Sequence, residues 1–116
     1  MPSPHLSQWK EAPPLIFISG QLAFDPNGRI SHPHVAEQTT QVLRNLEAIV
    51  AKAGLKLQDI IKTTVWLRHE ADFAAFNESY ANYFGAVRPA RSTVICALAH
   101  PDAVVEIEAI AYRPAA

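Results

Sequence analysis

The chain has 116 residues, of which 49% are apolar and 18% charged, and its formal net charge is −1 at pH 7. Such a composition is typical of a soluble globular protein, so residues 1–116 are expected to form one domain around one core. The near-zero charge excludes a global basic field that would recruit nucleic acid or an anionic membrane. No stretch approaches the roughly 20 apolar residues of a membrane helix, and the N-terminus lacks a signal-peptide pattern. A single cysteine, Cys96, cannot form an internal disulfide, and we expect a reducing, cytoplasmic location.

The N-terminal quarter of the chain alternates extended and turn-forming sequence. The first 14 residues hold four of the nine prolines and are expected to form an edge strand or an extended arm. LIFIS at 15–19 is a short apolar run that ends before Gly20 and predicts a strand. DPNG at 25–28 is typical of a tight turn, because its proline presets φ and its glycine accepts a positive φ.

Two stretches have the spacing of helices with one buried side. Apolar residues recur every three or four positions from Val35 to Ala53, which predicts the first helix. Aromatic residues recur in the same way from Phe73 to Tyr83 and predict the second helix. We expect this aromatic stripe to belong to the core and not to stack on nucleobases.

Three further segments predict strands, at 59–68, 91–98 and 104–112, because they are rich in β-branched residues. Alternation places four side chains of the first segment on one face: Ile61, Thr63, Val65 and Leu67. The short link at 99–103 (AHPDA) predicts that the last two strands form a hairpin.

The element order β-α-β-α-β-β predicts an α+β fold with a mixed sheet and both helices on one face, because strand–helix–strand connections are right-handed. The alternating apolar residues of the last strand fit the helix-covered face, which leaves Glu106 and Glu108 on the other. That second face also carries Val104, Trp66 and Ile110, more apolar surface than water favours. We therefore expect other subunits to cover it and the carboxylates to lie near a subunit interface.

Six segments occur in an order that resembles the RidA family, also called YjgF/YER057c/UK114, the reactive-intermediate deaminases. The segments are ISGQ (18–21), EQTTQVLRNLEAIV (37–50), AGLKLQDIIKTTVWL (53–67), FNESYANYF (76–84), PARS (89–92) and VEIEA (105–109). The resemblance implies a chorismate-mutase-like fold and homotrimers with three sites between subunits. It also implies hydrolysis of 2-aminoacrylate and related enamine or imine acids to 2-keto acids and ammonia, without a cofactor.

The resemblance assigns roles to five residues of this sequence. Arg91 in PARS matches the arginine that binds the substrate carboxylate, and Glu106 in VEIEA matches the glutamate that positions the water. Gly20 matches a glycine whose backbone faces the substrate, with Ser19 beside it, and Asn77 matches an asparagine at the pocket rim. The implied catalytic residues are therefore Arg91 and Glu106, and no metal ligand is implied.

This sequence departs from the family pattern at the mouth of the implied pocket. LSQW at 6–9 aligns with a family motif whose tyrosine reaches the pocket, so Leu6 stands at the tyrosine position. The link before Arg91 is shorter than in the best-known members and adds Arg88. These changes affect the identity of the substrate more than the class of reaction.

The same residues have structural interpretations as well. Arg91 can serve in a surface ion pair, Glu106 can be a solvated carboxylate, and Asn77 can be a polar surface residue. Gly20 can be a strand-end or bulge glycine. Glu108 is expected to be structural or solvated.

Other catalytic or metal-binding chemistry has little support in the sequence. Cys96 lies in a segment predicted as an apolar strand and is expected to be a buried packing residue. His32 and His34 flank Pro33, but no third ligand follows at a suitable spacing, so no metal site is expected. The sequence contains no nucleophile-elbow signature, so a Ser–His–Asp triad is not expected.

The function expected from the sequence is cofactor-free hydrolysis of small imino or enamino carboxylic acids by a homotrimer. Two alternatives stay open. One is a non-catalytic protein that binds small carboxylates through Arg91. The other is a ribonuclease or translation inhibitor, which the sequence favours less because it shows no basic stripe and no interleaved basic and aromatic residues.

Overall fold

The structure is a computed structural model that describes residues 4–115. Within this range the strands are β1 (Trp9–Ala12), β2 (Leu15–Gln21), β3 (Ile60–Leu67), β4 (Ala90–Ile95) and β5 (Val105–Tyr112), and the helices are α1 (Val35–Lys52) and α2 (Phe73–Phe84). Single-turn 3₁₀ helices at Leu57–Asp59 and Glu70–Asp72 lead into β3 and α2. Neither α-helix of the described range has the length and apolarity needed to cross a bilayer.

The strands form one mixed sheet in the order β1-β2-β5-β3-β4. All neighbouring pairs are antiparallel except β3 and β4, which are parallel. Helix α1 packs on β5 and β2, and α2 packs on α1. The predicted mixed sheet with two helices on one face is therefore confirmed. The N-terminal edge strand is confirmed as β1, while residues 1–3 of that prediction lie outside the described residues.

The core lies between the sheet and the helices. Every second residue of the central strands is buried on this face, as alternation requires. The sheet contributes Ile16, Ile18, Thr63, Val65, Leu67, Val105, Ile107, Ala109 and Ala111, and the helices contribute Val35, Val42, Leu43, Leu46, Ile49, Val50, Phe76, Tyr80 and Phe84. Strand β5 is central because its inner face is wholly apolar and almost completely buried.

The predicted hairpin between the last two strands is wrong. Strand β5 lies between β2 and β3, and β4 pairs only with β3, at the edge of the sheet. The connecting segment instead crosses the end of β3, where Arg68 holds it. The Arg68 guanidinium donates to the carbonyl oxygens of Ala103 and His100, both at 2.8 Å. A short link with turn residues is compatible with either geometry, so only these long-range contacts distinguish them.

Strand β4 is shorter than predicted, and this changes the place of Cys96. The strand ends at Ile95, and Cys96 begins the crossing segment, with its N–H donating to the Leu67 carbonyl oxygen at 2.9 Å. Its side chain is half-buried. The expectation that Cys96 lies in a strand as a buried packing residue is therefore wrong.

The predicted face of Ile61 is also wrong. A β-bulge lies at the start of β3, where Ile60 pairs with Ala111 but Lys62 pairs with Ile110. The extra residue inverts the alternation, so Ile60 is buried while 45% of Ile61 is exposed.

Gln38 of α1 fixes the start of β5. Its side chain is fully buried, and its amide nitrogen donates to the carbonyl oxygens of His32 (2.7 Å) and Asp102 (2.9 Å). Its amide oxygen accepts from the Val104 N–H at 2.9 Å. One side chain therefore joins the loop before α1 to the segment that enters β5.

The face of the sheet opposite the helices carries a large apolar surface. Phe17, Val94 and Tyr112 are 43–44% exposed on this face, and Trp66 and Ile110 are half-buried beside them. The prediction that the helices leave this face uncovered is confirmed, but the placement of Val104 on it is wrong, because Val104 precedes β5 and packs against the core. Its coverage by other subunits stays a prediction.

Candidate functional site

Arg91 lies on the helix-covered face of edge strand β4. In the parallel register it pairs with Thr63, which points into the core. Its guanidinium carbon is 4.8 Å from the centroid of the Tyr80 ring, 5.2 Å from that of Phe76 and 5.9 Å from that of Phe73. Aromatic rings of helix α2 thus pack against the Arg91 guanidinium. Such cation–π contacts hold the guanidinium in place and leave its N–H donors available to an anion.

No carboxylate pairs with Arg91 within residues 4–115. The one salt bridge in this range joins Arg113 to Glu11 at 2.8 Å. The interpretation of Arg91 as an ion-pair residue therefore has no support among the residues that the structure describes. A half-buried guanidinium without a carboxylate is suited to bind an anionic ligand.

Arg91 opens into a pocket of about 460 Å³ between the end of α2 and the start of β4. Asn77 and Arg88 also line this pocket, and we call these three residues the arginine half-site. The remaining lining is mostly apolar: Tyr80, Ala81, Phe84, Gly85, Val87 and Pro89. The structure therefore brings Asn77 together with Arg91, as the family motif implied.

Tyr80 has a place in this pocket that the sequence analysis missed. Its hydroxyl lies 2.7 Å from that of Thr63, which fixes the ring beneath the guanidinium. Burial raises the pKa of Tyr80, while the hydrogen bond with Thr63 and the charge of Arg91 oppose that rise. The signal available in the sequence was a tyrosine at a position predicted to face the core, because a buried Tyr hydroxyl requires a partner.

Glu106 lies on the opposite face of the sheet, on β5, where it pairs with Trp66. Gly20 of β2 is directly beside it. A Cβ atom added at Gly20 would lie 2.2 Å from Glu106 Oε2, well inside van der Waals contact. Gly20 thus leaves the space that the carboxylate occupies, and we call these two residues the glutamate half-site.

The surroundings of Glu106 favour its protonated form. Burial raises the pKa of Glu106, and the negative charge of Glu108 raises it further. Glu108 is half-buried on the same face, two residues along the strand. A carboxyl with a raised pKa is better suited to exchange a proton near neutral pH.

Ser19 has a hydrogen-bonding role in the fold. Its hydroxyl donates to the Ser7 carbonyl oxygen at 2.6 Å, and its N–H donates to the Gln8 carbonyl oxygen at 2.9 Å. These bonds hold the N-terminal arm along β2. Leu6, at the position of the family tyrosine, is 61% exposed at the end of that arm.

One subunit does not bring the two half-sites together. Arg91 pairs with Thr63, an inward residue, whereas Glu106 pairs with Trp66, an outward residue. The two side chains therefore project from opposite faces of the same sheet. The sequence could not reveal this relation, because it depends on the registers of two strand pairs.

The histidines beside Pro33 show no metal-binding arrangement. In the part of the chain that the structure describes, no group of three or more His, Cys, Asp or Glu residues is placed to hold a metal ion. His32 contributes its backbone carbonyl to Gln38, as described above.

The sequence of this chain matches known proteins over most of its length. The sequence profile of the family described as Endoribonuclease L-PSP matches residues 2–113. A RutC family protein of Pyrococcus horikoshii is 46% identical over 108 residues, which cover 92% of this chain and 86% of the relative. The 2-iminobutanoate/2-iminopropanoate deaminase of Salmonella typhimurium is 43% identical over 102 residues, which cover 85% of this chain and 80% of the relative.

A solved structure has the same fold. The crystal structure of E. coli TdcF with bound serine matches with a TM-score of 0.88 and 38% identity, covering 98% of this chain and 91% of that chain. Together with the profile match, it confirms the resemblance found in the motifs, and the chain belongs to the RidA family, whose profile carries the description Endoribonuclease L-PSP.

Proposed function

We propose that this protein hydrolyses small imino and enamino carboxylic acids to 2-keto acids and ammonia. The observation that carries the proposal is the Arg91 guanidinium, which packs on aromatic rings in a pocket and has no carboxylate partner among residues 4–115. The Salmonella relative is named for the deamination of 2-iminobutanoate and 2-iminopropanoate, which are acids of this kind. The bound serine of E. coli TdcF is likewise a small molecule with a carboxylate.

In the proposed mechanism Arg91 binds the substrate carboxylate. A guanidinium donates two parallel hydrogen bonds to a planar carboxylate, which a lysine cannot match. The Asn77 amide lines the same pocket and can orient the neighbouring nitrogen of the substrate. These contacts hold the electrophilic carbon at a fixed distance from Arg91.

Glu106 positions the attacking water and transfers protons. An enamine first takes up a proton from water at its β-carbon and becomes the protonated imine. Water then adds to the carbon of the C=N bond, and ionised Glu106 carries the two protons of that water to the nitrogen, one on addition and one as the C=O bond forms. The C–N bond breaks, and the products are a 2-keto acid and ammonium. The raised pKa of Glu106 brings it closer to the pH at which both proton transfers are efficient. Each atom is accounted for by substrate and water, so the reaction requires no cofactor.

We infer that the complete site lies between subunits of a homotrimer. The arginine half-site and the glutamate half-site lie on opposite faces of one sheet, so a second copy must supply one of them. The exposed apolar face around Trp66 and Ile110 gives a reason for association, because water disfavours so large a patch. A ring of three copies would repeat the same contact three times and close. We place the protein in the cytoplasm, consistent with its single free thiol.

The carboxylate-binding alternative makes a different prediction. If Glu106 has no catalytic part, Arg91 still binds 2-keto acids but turnover is absent. The ribonuclease alternative, suggested by the description of the family profile, predicts RNA binding that weakens steeply with salt. The net charge of −1 and the pocket of about 460 Å³ favour a small acid over RNA.

The test is a coupled assay in which a dehydratase generates 2-aminoacrylate and pyruvate release is followed with and without the protein. We expect the protein to accelerate pyruvate and ammonia release. Arg91→Lys should lower that acceleration by about tenfold or more, because a charged hydrogen bond contributes roughly 1.5–3 kcal/mol. Arg29→Lys, at an exposed position outside the pocket, is the matched control. No acceleration, or full activity in Arg91→Lys and Arg91→Ala, contradicts the proposal.

A further inference from the structure

The second arginine of the pocket, Arg88, has no part in the chemistry described so far. One carboxylate occupies one guanidinium fork, and Arg91 already supplies that fork. Arg88 nevertheless lines the same pocket, in the connection between α2 and β4.

The backbone gives Arg88 a defined position. Gly85 ends α2 with φ +60°, and its N–H donates to the Ala81 carbonyl oxygen at 2.9 Å. Val87 donates to the Phe84 carbonyl oxygen at 3.1 Å, and its side chain packs on the core. Pro89 then restricts Arg88 to an extended backbone. Val87 and Pro89 fix the backbone on both sides of Arg88. The backbone position from which its side chain extends into the pocket is therefore constrained.

The charge balance of the pocket leaves room for a second anion. None of its lining residues carries a carboxylate, and the one salt bridge within residues 4–115 lies elsewhere, between Arg113 and Glu11. Each of the two guanidinium groups that line the pocket can therefore pair with an anionic group of a ligand. The exposed Arg88 is accessible to a ligand, while the half-buried Arg91 is the deeper of the two.

Within one subunit, the arginine half-site has room for a chain longer than three or four carbons. Its volume of about 460 Å³ lies within the usual range for small-molecule sites. A 2-imino acid with a second carboxylate at the end of its side chain could place one acid group on each arginine. The short chain between the two carboxylates would then lie along the apolar wall formed by Phe84 and Val87.

We propose that Arg88 binds the distal carboxylate of a dicarboxylic imino acid, and that such acids are the preferred substrates of this protein. The inference rests on the proposed function and names its substrate class. The reaction is unchanged: water replaces nitrogen at the imine carbon and ammonium leaves, while the distal carboxylate takes no part in bond making. The reaction that supplies the substrate must then oxidise an acidic amino acid at its α-carbon, or eliminate a β-hydroxyl group from a β-hydroxylated one.

The test compares imines generated in place by amino-acid oxidases from a neutral and from an acidic amino acid. The quantity measured is the ratio of kcat/KM for the dicarboxylic imine to that for the monocarboxylic imine. We expect Arg88→Ala to lower this ratio by about tenfold or more, the effect of losing one charged contact. Arg29→Ala, which removes the same charge from an exposed position outside the pocket, should leave the ratio unchanged. An unchanged ratio in Arg88→Ala, or an equal fall in Arg29→Ala, overturns the inference.

A binding measurement separates this inference from the proposed function. Calorimetry with a 2-keto monocarboxylate and a 2-keto dicarboxylate requires no turnover. The unmodified protein should bind the dicarboxylate about tenfold more tightly, and Arg88→Ala should remove that preference. Equal binding of both acids, together with rapid hydrolysis of the monocarboxylic imine, would overturn the role of Arg88 and leave the deaminase proposal standing. Selective dicarboxylate binding without hydrolysis of either imine would overturn the deaminase proposal and the substrate preference, and would leave only the binding role of Arg88.

Discussion

At the scale of single residues, the close approach of Gly20 and Glu106 is the most specific contact in the candidate site. The carboxylate fills the space that any side chain at position 20 would need. The sequence identified both residues through their motifs, but it did not show that they touch. Strand register across β2 and β5 decides that contact, and a bulge between Ile18 and Gln21 shifts it.

Gly20→Ala should therefore reduce turnover by displacing Glu106. The nearest atoms are the end of a flexible side chain, so Glu106 can rotate away and the fold should lose less than about 1 kcal/mol. A carboxylate moved by an ångström can cost about a hundredfold in rate. Steady-state kinetics and thermal unfolding of the variant measure the two effects.

A double-mutant cycle controls this prediction. In a Glu106→Ala background, Gly20→Ala should cost no further turnover, because the displaced group is absent. An equal loss of stability in both backgrounds would show that Gly20 serves only the strand geometry.

The raised pKa of Glu106 makes a prediction about pH. The folded chain binds this proton more tightly than the unfolded chain, so ionised Glu106 opposes folding at neutral pH. Glu106→Gln should thus stabilise the fold near pH 7 while lowering turnover. The gain in stability should fade as the pH drops from the raised pKa through the ordinary value of 4.5, where both states are protonated. Chemical denaturation at several pH values measures this.

Glu108→Gln is the matched variant on the same strand. It should retain most of the turnover, and it should move the acidic limb of the kcat/KM profile to lower pH, because the charge of Glu108 raises the pKa of Glu106. If Glu108→Gln is the variant that abolishes turnover, the roles of the two carboxylates are reversed.

At the scale of elements, the local patterns predicted which segments are helices and strands, but not how the strands pair. The periodicities at Val35 and Phe73 marked both helices because each has one buried side. The AHPDA link does not form a hairpin. It crosses the end of β3, where its carbonyl groups accept hydrogen bonds from Arg68, about 30 residues earlier in the chain. Ile61 was assigned to the wrong face because a bulge leaves no clear signal in a β-branched run.

Gln38 is the element-scale contact that we expect to matter most for stability. Gln38→Leu would leave the Val104 N–H and two carbonyl groups without their partner. We expect a loss of about 2–4 kcal/mol in the free energy of unfolding, since a fully buried unpaired group costs roughly 1–3 kcal/mol and these three groups are part-buried. Urea denaturation measures the loss.

Gln41→Leu on the same helix is the control for this prediction. Gln41 is half-buried and donates one hydrogen bond, to Asn45 at 2.9 Å. Its loss should cost under about 1 kcal/mol. Equal costs for the two variants would mean that the three bonds of Gln38 do not hold the segment before β5.

At the scale of the whole molecule, the fold divides the proposed chemistry between two faces of one sheet. The sequence placed Glu106 on the uncovered face through simple alternation. It could not place Arg91 relative to Glu106, because β3 separates their strands and sets both registers. An enzyme built this way gains its site only on assembly, so the assembled state is the central claim.

Mixing two inactive variants tests that claim most directly. Arg91→Ala and Glu106→Gln should each be inactive alone, because every interface then lacks one half-site. After the subunits are unfolded together and refolded in equal amounts, about a quarter of the wild-type keto-acid release should return, since each site draws one side chain from each of two randomly chosen subunits of a ring. A mixture that assembles but stays as inactive as either variant alone, or a fully active monomer in sedimentation, would contradict the account.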